Sequence, residues 1–205
     1  MSKIKLTYFD INGGRAETTR IAMSIAGIDF NDDRVSFEEF GKMRESTPLN
    51  ALPIMEIDGV VYTQCNAMNR YFGKQAGLYP SDPWQAFLCD EILEIMEDMS
   101  QALRHTFGMQ GEELKLARER VVSGPYTRGL KILDERLKAA GGEYFSDRRC
   151  TVADIKVYIW IRHLKSGIID HVPADLPDKL APGLVKHMER VAAHPGVVAY
   201  YAGRK

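Results

Sequence analysis

Cysteine is scarce and poorly placed for paired chemistry. The chain has three, Cys65, Cys89 and Cys150, an odd and widely spaced set with no CxxC. Neither a metal knuckle nor a dithiol redox motif is present, and a reduced compartment is the simplest setting for such thiols. Excess charge is missing too. The formal net charge is −1, so nothing favours nucleic acid or an anionic membrane as a partner. No apolar run approaches membrane-spanning length, and the opening MSKIKLTYFD lacks the apolar core of a secretory signal. These absences predict a soluble, cytoplasmic protein. There is no GxxxxGKS/T phosphate loop and no HExxH zinc motif, so no metal site is expected. Internal repeats and low-complexity segments are absent as well.

What is present is enough for a large core. A chain of 205 residues buries roughly 70% of its unfolded surface without staples. One stretch, Asn50 to Phe72, organises the rest. Ala51-Leu52-Pro53 leads into the apolar run Ile54 to Ile57. Asp58-Gly59 is a two-residue turn signal, since both tolerate positive φ. Val60 to Thr63 is a second β-prone run, and Gln64-Cys65-Asn66 opens a segment with Ala67, Met68, Tyr71 and Phe72 at helical spacing. The reading is strand, hairpin, strand, helix. Pro53 stands just before a strand that should be central, where its missing N–H is a defect. A cis Leu52-Pro53 bond would turn the chain and leave the backbone of Leu52 facing outward. A helix starting at Gln64-Cys65-Asn66 would offer free N–H groups and a positive dipole end to a carboxylate or phosphate.

Around this stretch, Ile4 to Phe9 reads as a strand and Asp10 to Gly14 as a flexible loop. Arg15 to Ala26 reads as a helix ended by Gly27 at C′, and Phe30 to Val35 as another strand. Ser36 to Ser46 is polar and irregular, with room for a helical turn. By pattern alone this is a mixed α/β domain closed by Gly77 and Pro80. After Pro80 strand signals stop. Pro83 starts a helix whose apolar face carries Trp84, Phe87, Leu88, Ile92, Ile95, Met96, Met99 and Leu103, ending near Gly108. Glu112 to Ala140 is helical with a break or kink at Gly124-Pro125. Thr151-Val152-Ala153-Asp154 has the form of a capping box before a buried apolar helix to Leu164, a device worth about 1 kcal/mol. Residues about 179–193 and 196–202 give further helices. The second unit is therefore all-helical, with the linker near Tyr79–Pro83.

The segments ALPIMEIDG and TQCNAMNRY resemble the glutathione site of cytosolic glutathione transferases. Leu6-Thr7-Tyr8-Phe9 and Gly14-Arg15-Ala16-Glu17 resemble the sigma class, which includes glutathione-dependent prostaglandin D synthases. The resemblance runs over essentially the whole chain. It implies a thioredoxin-like domain at 1–80 that binds glutathione and an all-α domain at 84–205 that lines an electrophile pocket. It also implies transfer of the glutathione thiol to small hydrophobic electrophiles in detoxification, with glutathione as co-substrate and no permanently bound cofactor. Two alternatives stay open: a glutathione-dependent prostaglandin D isomerase, and a non-catalytic, crystallin-like relative.

The same resemblance implies residue roles. The phenol of Tyr8 would donate to the glutathione sulfur and favour the thiolate, with Arg15 as support; a strand tyrosine is otherwise a packing residue, and Arg15 otherwise an exposed residue in the first helical turn. Gln64 and Cys65 would hold the γ-glutamyl carboxylate. Cysteine stands where the family usually has serine, so the backbone N–H must carry more of the contact. A thiol at a helix N-terminus is also expected to have a lowered pKa; that would allow a mixed disulfide with glutathione, while the plainer and preferred reading is a tolerated isostere. The Leu52 backbone would pair with the cysteinyl part, its geometry set by Pro53. The glycyl end would meet Phe40 and Arg44, where Ala51 lacks a usual lysine and Lys42 is a substitute. Asp98 would cross a dimer interface to the partner's glutathione, which implies a homodimer with Arg70 at the contact. Asp90, Glu91, Glu94 and Glu97 are read as solvated or interface charge. Phe9, His105, Lys156, Trp160 and the Tyr200–Tyr201 region would line the electrophile pocket, with no proton-transfer role for His105.

Overall fold

The computed structural model describes residues 3–203. Strand β1 (Ile4–Phe9) is followed by helix α1 (Glu17–Ile25), β2 (Asn31–Val35), α2 (Phe37–Met43), two 3₁₀ turns at 44–46 and 48–50, β3 (Ile54–Ile57), β4 (Val60–Tyr62) and α3 (Cys65–Gln75). The strands form one sheet in the order β2-β1-β3-β4. β1 runs parallel to β2, with Tyr8 opposite Arg34, and antiparallel to β3, with Leu6 opposite Met55. Leu6, Thr7 and Tyr8 are all buried, as expected of a strand covered on both faces. The Asp58-Gly59 turn takes positive φ at both residues, and Gly27 does so at the end of α1. The Leu52-Pro53 peptide is cis.

The second half is helical: α4 (Pro83–Arg104), α5 (Gly111–Val121), α6 (Thr127–Ala139), α7 (Val152–Lys165), α8 (Leu176–Leu180), α9 (Pro182–Ala192) and α10 (Pro195–Ala202). Asp82 caps α4 by accepting the Gln85 N–H at 2.9 Å, with Pro83 in the first turn. The α5–α6 junction is a π-type turn over 122–126 that holds Pro125, whose missing N–H cannot continue an α ladder. α7 is the central rod, packed against α1, α3, α4, α8 and α9. The Val152 N–H donates to Leu78 O at 2.9 Å, and Arg149 donates to the carbonyls of Gly77 and Tyr79. These bonds fasten the segment after α3 to the start of α7. Among the described residues no helix is long and apolar enough to cross a membrane.

Several expectations need correction. α1 starts at Glu17, so Arg15 precedes the helix and does not sit in its first turn. The stretch read as irregular with room for a helical turn holds the seven-residue helix α2, because Ser36 and Glu39 form a capping box that Ser-x-x-Glu encodes. α4 ends at Arg104, before Gly108. Trp84 and Phe87 lie off the core, 62% and 56% exposed and stacked on each other. Cys89 and Leu93 take the buried face instead.

Candidate active site

Tyr8 lies at the C-terminal end of β1 with its side chain 5% exposed. The chain leaves the strand through a loop that returns Arg15 to the phenol, and the Arg15 N–H donates to Tyr8 Oη at 3.0 Å. The return depends on Gly14. Its φ is +70°, and a Cβ there would fall 2.6 Å from Tyr8 Oη. Burial pushes the Tyr8 pKa up and the Arg15 N–H offsets part of that, so the phenol keeps its proton at neutral pH.

The Arg15 guanidinium bridges Leu52 and α4. Nη1 donates to Leu52 O at 3.3 Å, and Nη2 pairs with Glu97 Oε1 at 2.8 Å. Nε is buried with no hydrogen-bond partner among the described residues, and the guanidinium as a whole interacts with the Cys65 sulfur. Glu97 is thus the counterion of Arg15. It also accepts from Gln101 at 2.9 Å, from the Cys65 thiol at 3.4 Å and from Lys156 at 3.3 Å. Burial raises the Glu97 pKa, but Lys156 and Arg15 outweigh it and hold the carboxyl below its ordinary range. Glu97 was expected among the solvated acids, and the structure corrects this. Asp90 and Glu94 pair with Arg70, and Glu91 with Arg136, and these three stay at least partly exposed.

α3 begins beside this cluster. Gln64 is exposed with φ +74° and ψ +99°, a sparsely populated conformation costing of order 1–3 kcal/mol. Strain of that kind collects at ligand sites. Cys65 is 1% exposed. The lowered thiol pKa expected from the helix terminus is overturned: burial pushes it up, against the pull of Lys156 and Arg15. A buried thiol held in protonated form is a poor disulfide former.

The remaining residues are placed as follows. Leu52 and Pro53 are buried, and the Leu52 carbonyl faces inward to Arg15, not outward as expected. Phe40 is buried, edge-on to Phe9 at 5.3 Å, with the exposed Arg44 guanidinium 5.0 Å from its ring centroid. Lys42 points away into an exposed pair with Glu38. Phe9 stacks on Phe37 at 4.5 Å. Trp160 packs edge-on to Tyr126, its indole N–H buried without a partner among the described residues. His105 is exposed at the C-cap of α4. Lys156 was expected to line an open pocket. Its ammonium is buried and donates to Asn66 Oδ1 at 2.6 Å and Leu93 O at 3.3 Å. Asp98 is exposed on α4.

Sequence reasoning missed Gly14 and Glu97 as parts of the cluster. Gly14 had a signal in its place between a strand-end tyrosine and an arginine. Glu97 had a fainter one: it lies four residues after the buried Leu93, on the flank of the apolar stripe of α4.

A small mixed four-stranded sheet joined to a helical domain is the glutathione transferase fold. Prostaglandin synthase D of Nilaparvata lugens superposes with a TM-score of 0.85 over 99% of this chain and 98% of that one, at 24% identity. The family model for the glutathione S-transferase C-terminal domain matches residues 97–204. Glutathione S-transferase 1 of Ascaris suum is 31% identical to this chain, covering 100% of it and 98% of the relative. Hematopoietic prostaglandin D synthase of Gallus gallus is 30% identical, with the same coverage. The chain belongs to the glutathione S-transferase family, and it is an enzyme of the transferase class.

Proposed function

We propose that this protein is a sigma-class glutathione transferase that ionises the thiol of glutathione and presents it to small hydrophobic electrophiles in the cytoplasm. The observation that carries this reading is the 3.0 Å bond from the Arg15 N–H to Tyr8 Oη. An oxygen that already accepts leaves its own O–H free to donate, which is the direction needed to hold a thiolate. A free thiol has a pKa of about 8.5, and lowering it by about two units is about 2.7 kcal/mol. One charge-assisted hydrogen bond with an adjacent guanidinium is of that size. Arg15 supports the charge and carries no proton.

Residues 1–80 bind glutathione. The start of α3 at Gln64 and Cys65 takes the γ-glutamyl carboxylate through backbone N–H groups, the Leu52 N–H pairs with the cysteinyl part, and Phe40 and Arg44 meet the glycyl end. Asp98 reaches the glutathione of the other protomer, which makes the homodimer the active form. Residues 84–205 supply the electrophile side, with Phe9, His105 and Trp160 at its wall. Glutathione is a co-substrate, with no resident cofactor in the scheme.

Ultraviolet titration of bound glutathione tests the reading. Wild type is expected to show thiolate absorbance well below pH 8.5, and Tyr8→Phe to return it toward the free value with a 10- to 100-fold loss in kcat. Coincident curves would remove Tyr8 as the activating donor. Lack of glutathione binding would favour a non-catalytic scaffold. The likeness to the Gallus gallus synthase supports a narrower second reading, prostaglandin D isomerisation, which turnover of prostaglandin H2 would test.

A further inference from the structure

We propose that Lys156 is a positioning residue for the thiolate: its ammonium offsets Glu97, so that Arg15 keeps its positive charge for the sulfur. The inference rests on the assignment of Tyr8 and Arg15 to glutathione. One carboxylate stands between two cations. Glu97 Oε1 is 2.8 Å from Arg15 Nη2, and Oε2 is 3.3 Å from Lys156 Nζ. The two other acceptors of Lys156, Asn66 Oδ1 and Leu93 O, belong to α3 and α4, so the ammonium is fixed in place. The side chains of Lys156 and Glu97 are only 9% and 18% exposed.

Arg15 and Glu97 alone form a neutral pair with little field left for an anion beside the guanidinium. Lys156 leaves the buried set with one net positive charge. In a poorly solvated site such a charge acts across several ångströms. The surrounding groups do not cancel it. Tyr8 from β1 and Cys65 from α3 are held in their neutral forms. Glu94 accepts from Asn66 at 3.2 Å, but it is ion-paired with Arg70 and 56% exposed, so water screens it. Asp90 is also paired with Arg70, and Asp98 is exposed. Near α1, Arg20 and Arg34 balance Glu17 and Asp32. On α7 itself, Arg162 turns to the Asn12 carbonyl. The ionisation is simple: the S–H proton leaves to solvent, and the residual positive charge stabilises the electron pair left on sulfur.

The test reads the pKa of bound glutathione by thiolate absorbance, together with the pH profile of kcat/KM, in wild type, Lys156→Met, Lys156→Arg and Glu97→Gln. Lys156→Met is expected to raise the thiol pKa by roughly one unit and to lower kcat/KM about tenfold below that pKa. Lys156→Arg should restore both. Glu97→Gln should move the pKa the opposite way, downward, because it removes the charge that Lys156 offsets. A purely structural role predicts that both neutralising variants disturb the site in the same direction. Shifts of the same sign, or no shift in Lys156→Met, overturn the proposal while leaving Tyr8 in place. A wild type that binds glutathione with an unlowered thiol pKa overturns the underlying assignment, and this inference with it. If Lys156→Met does not fold, Glu97→Gln decides: a downward shift supports the proposal, and a rise or no shift overturns it.

Discussion

Gly14 contributes no side chain, and that is its role. Its positive φ costs an L residue about 1–2 kcal/mol, and its missing Cβ leaves room for Tyr8 Oη. Gly14→Ala is therefore expected to lose about 1–2 kcal/mol of stability and to lower kcat by roughly tenfold or more, approaching Tyr8→Phe. Combined with Tyr8→Phe, it should add little further loss in kcat, because both act through one hydroxyl. Steady-state kinetics of the two single variants and the double variant check this; fully multiplicative losses would separate Gly14 from Tyr8. Cys65 shows the limit of residue-level rules. A helix N-terminus lowers a thiol pKa, but nearly complete burial raises it, and here burial wins.

At the scale of elements, α7 is fixed by one carboxylate. Asp154 Oδ2 accepts the Thr151 N–H at 2.8 Å and the Thr151 hydroxyl at 2.6 Å. Oδ1 accepts the Phe145 N–H at 3.0 Å and lies 2.8 Å from His187 Nε2 of α9. An ordinary cap contributes about 1 kcal/mol. Removing Asp154 strands several buried partners, so Asp154→Ala is expected to lose about 3–5 kcal/mol. Thr151→Ala should lose far less, about 1 kcal/mol. Urea unfolding of both variants measures the difference, and equal losses would reduce Asp154 to a simple cap. The capping box was legible from Thr-x-x-Asp, since both partners lie within one turn. The His187 contact was not, because it joins residues 33 positions apart. The same locality explains the hairpin, which the Asp58-Gly59 turn announces, and the missed α8, whose five residues are too few to show a period.

At the scale of the whole molecule, six of the exposed apolar residues fall on three elements: Val60, Val61 and Tyr62 on edge strand β4, Tyr71 on α3, and Trp84 and Phe87 on α4; others, such as Phe37, Leu49 and Phe107, lie elsewhere. An edge strand left open is a pairing surface, and exposed apolar patches mark partners. A homodimer formed there is expected to sediment at twice the 23.1 kDa of the chain. Phe87→Glu should shift it toward monomer and raise KM for glutathione several-fold, since Asp98 would then be withdrawn from the neighbouring site. A monomeric wild type, or a monomeric variant with unchanged KM, would place Asp98 outside the glutathione site.

The sequence by itself determined the sheet-then-helix order, the Asp58-Gly59 turn and the Thr151–Asp154 cap, because each is written in neighbours or in a fixed period. The family was readable for the same reason, from short contiguous motifs. Only the tertiary structure decided the charge pattern of the site. Arg15 meets Glu97, Glu97 meets Lys156, and Cys65 loses its helix-terminus character through contacts between residues 32 to 82 positions apart. Charge and burial depend on what packs around a group, and packing partners distant in the chain leave no mark in local pattern.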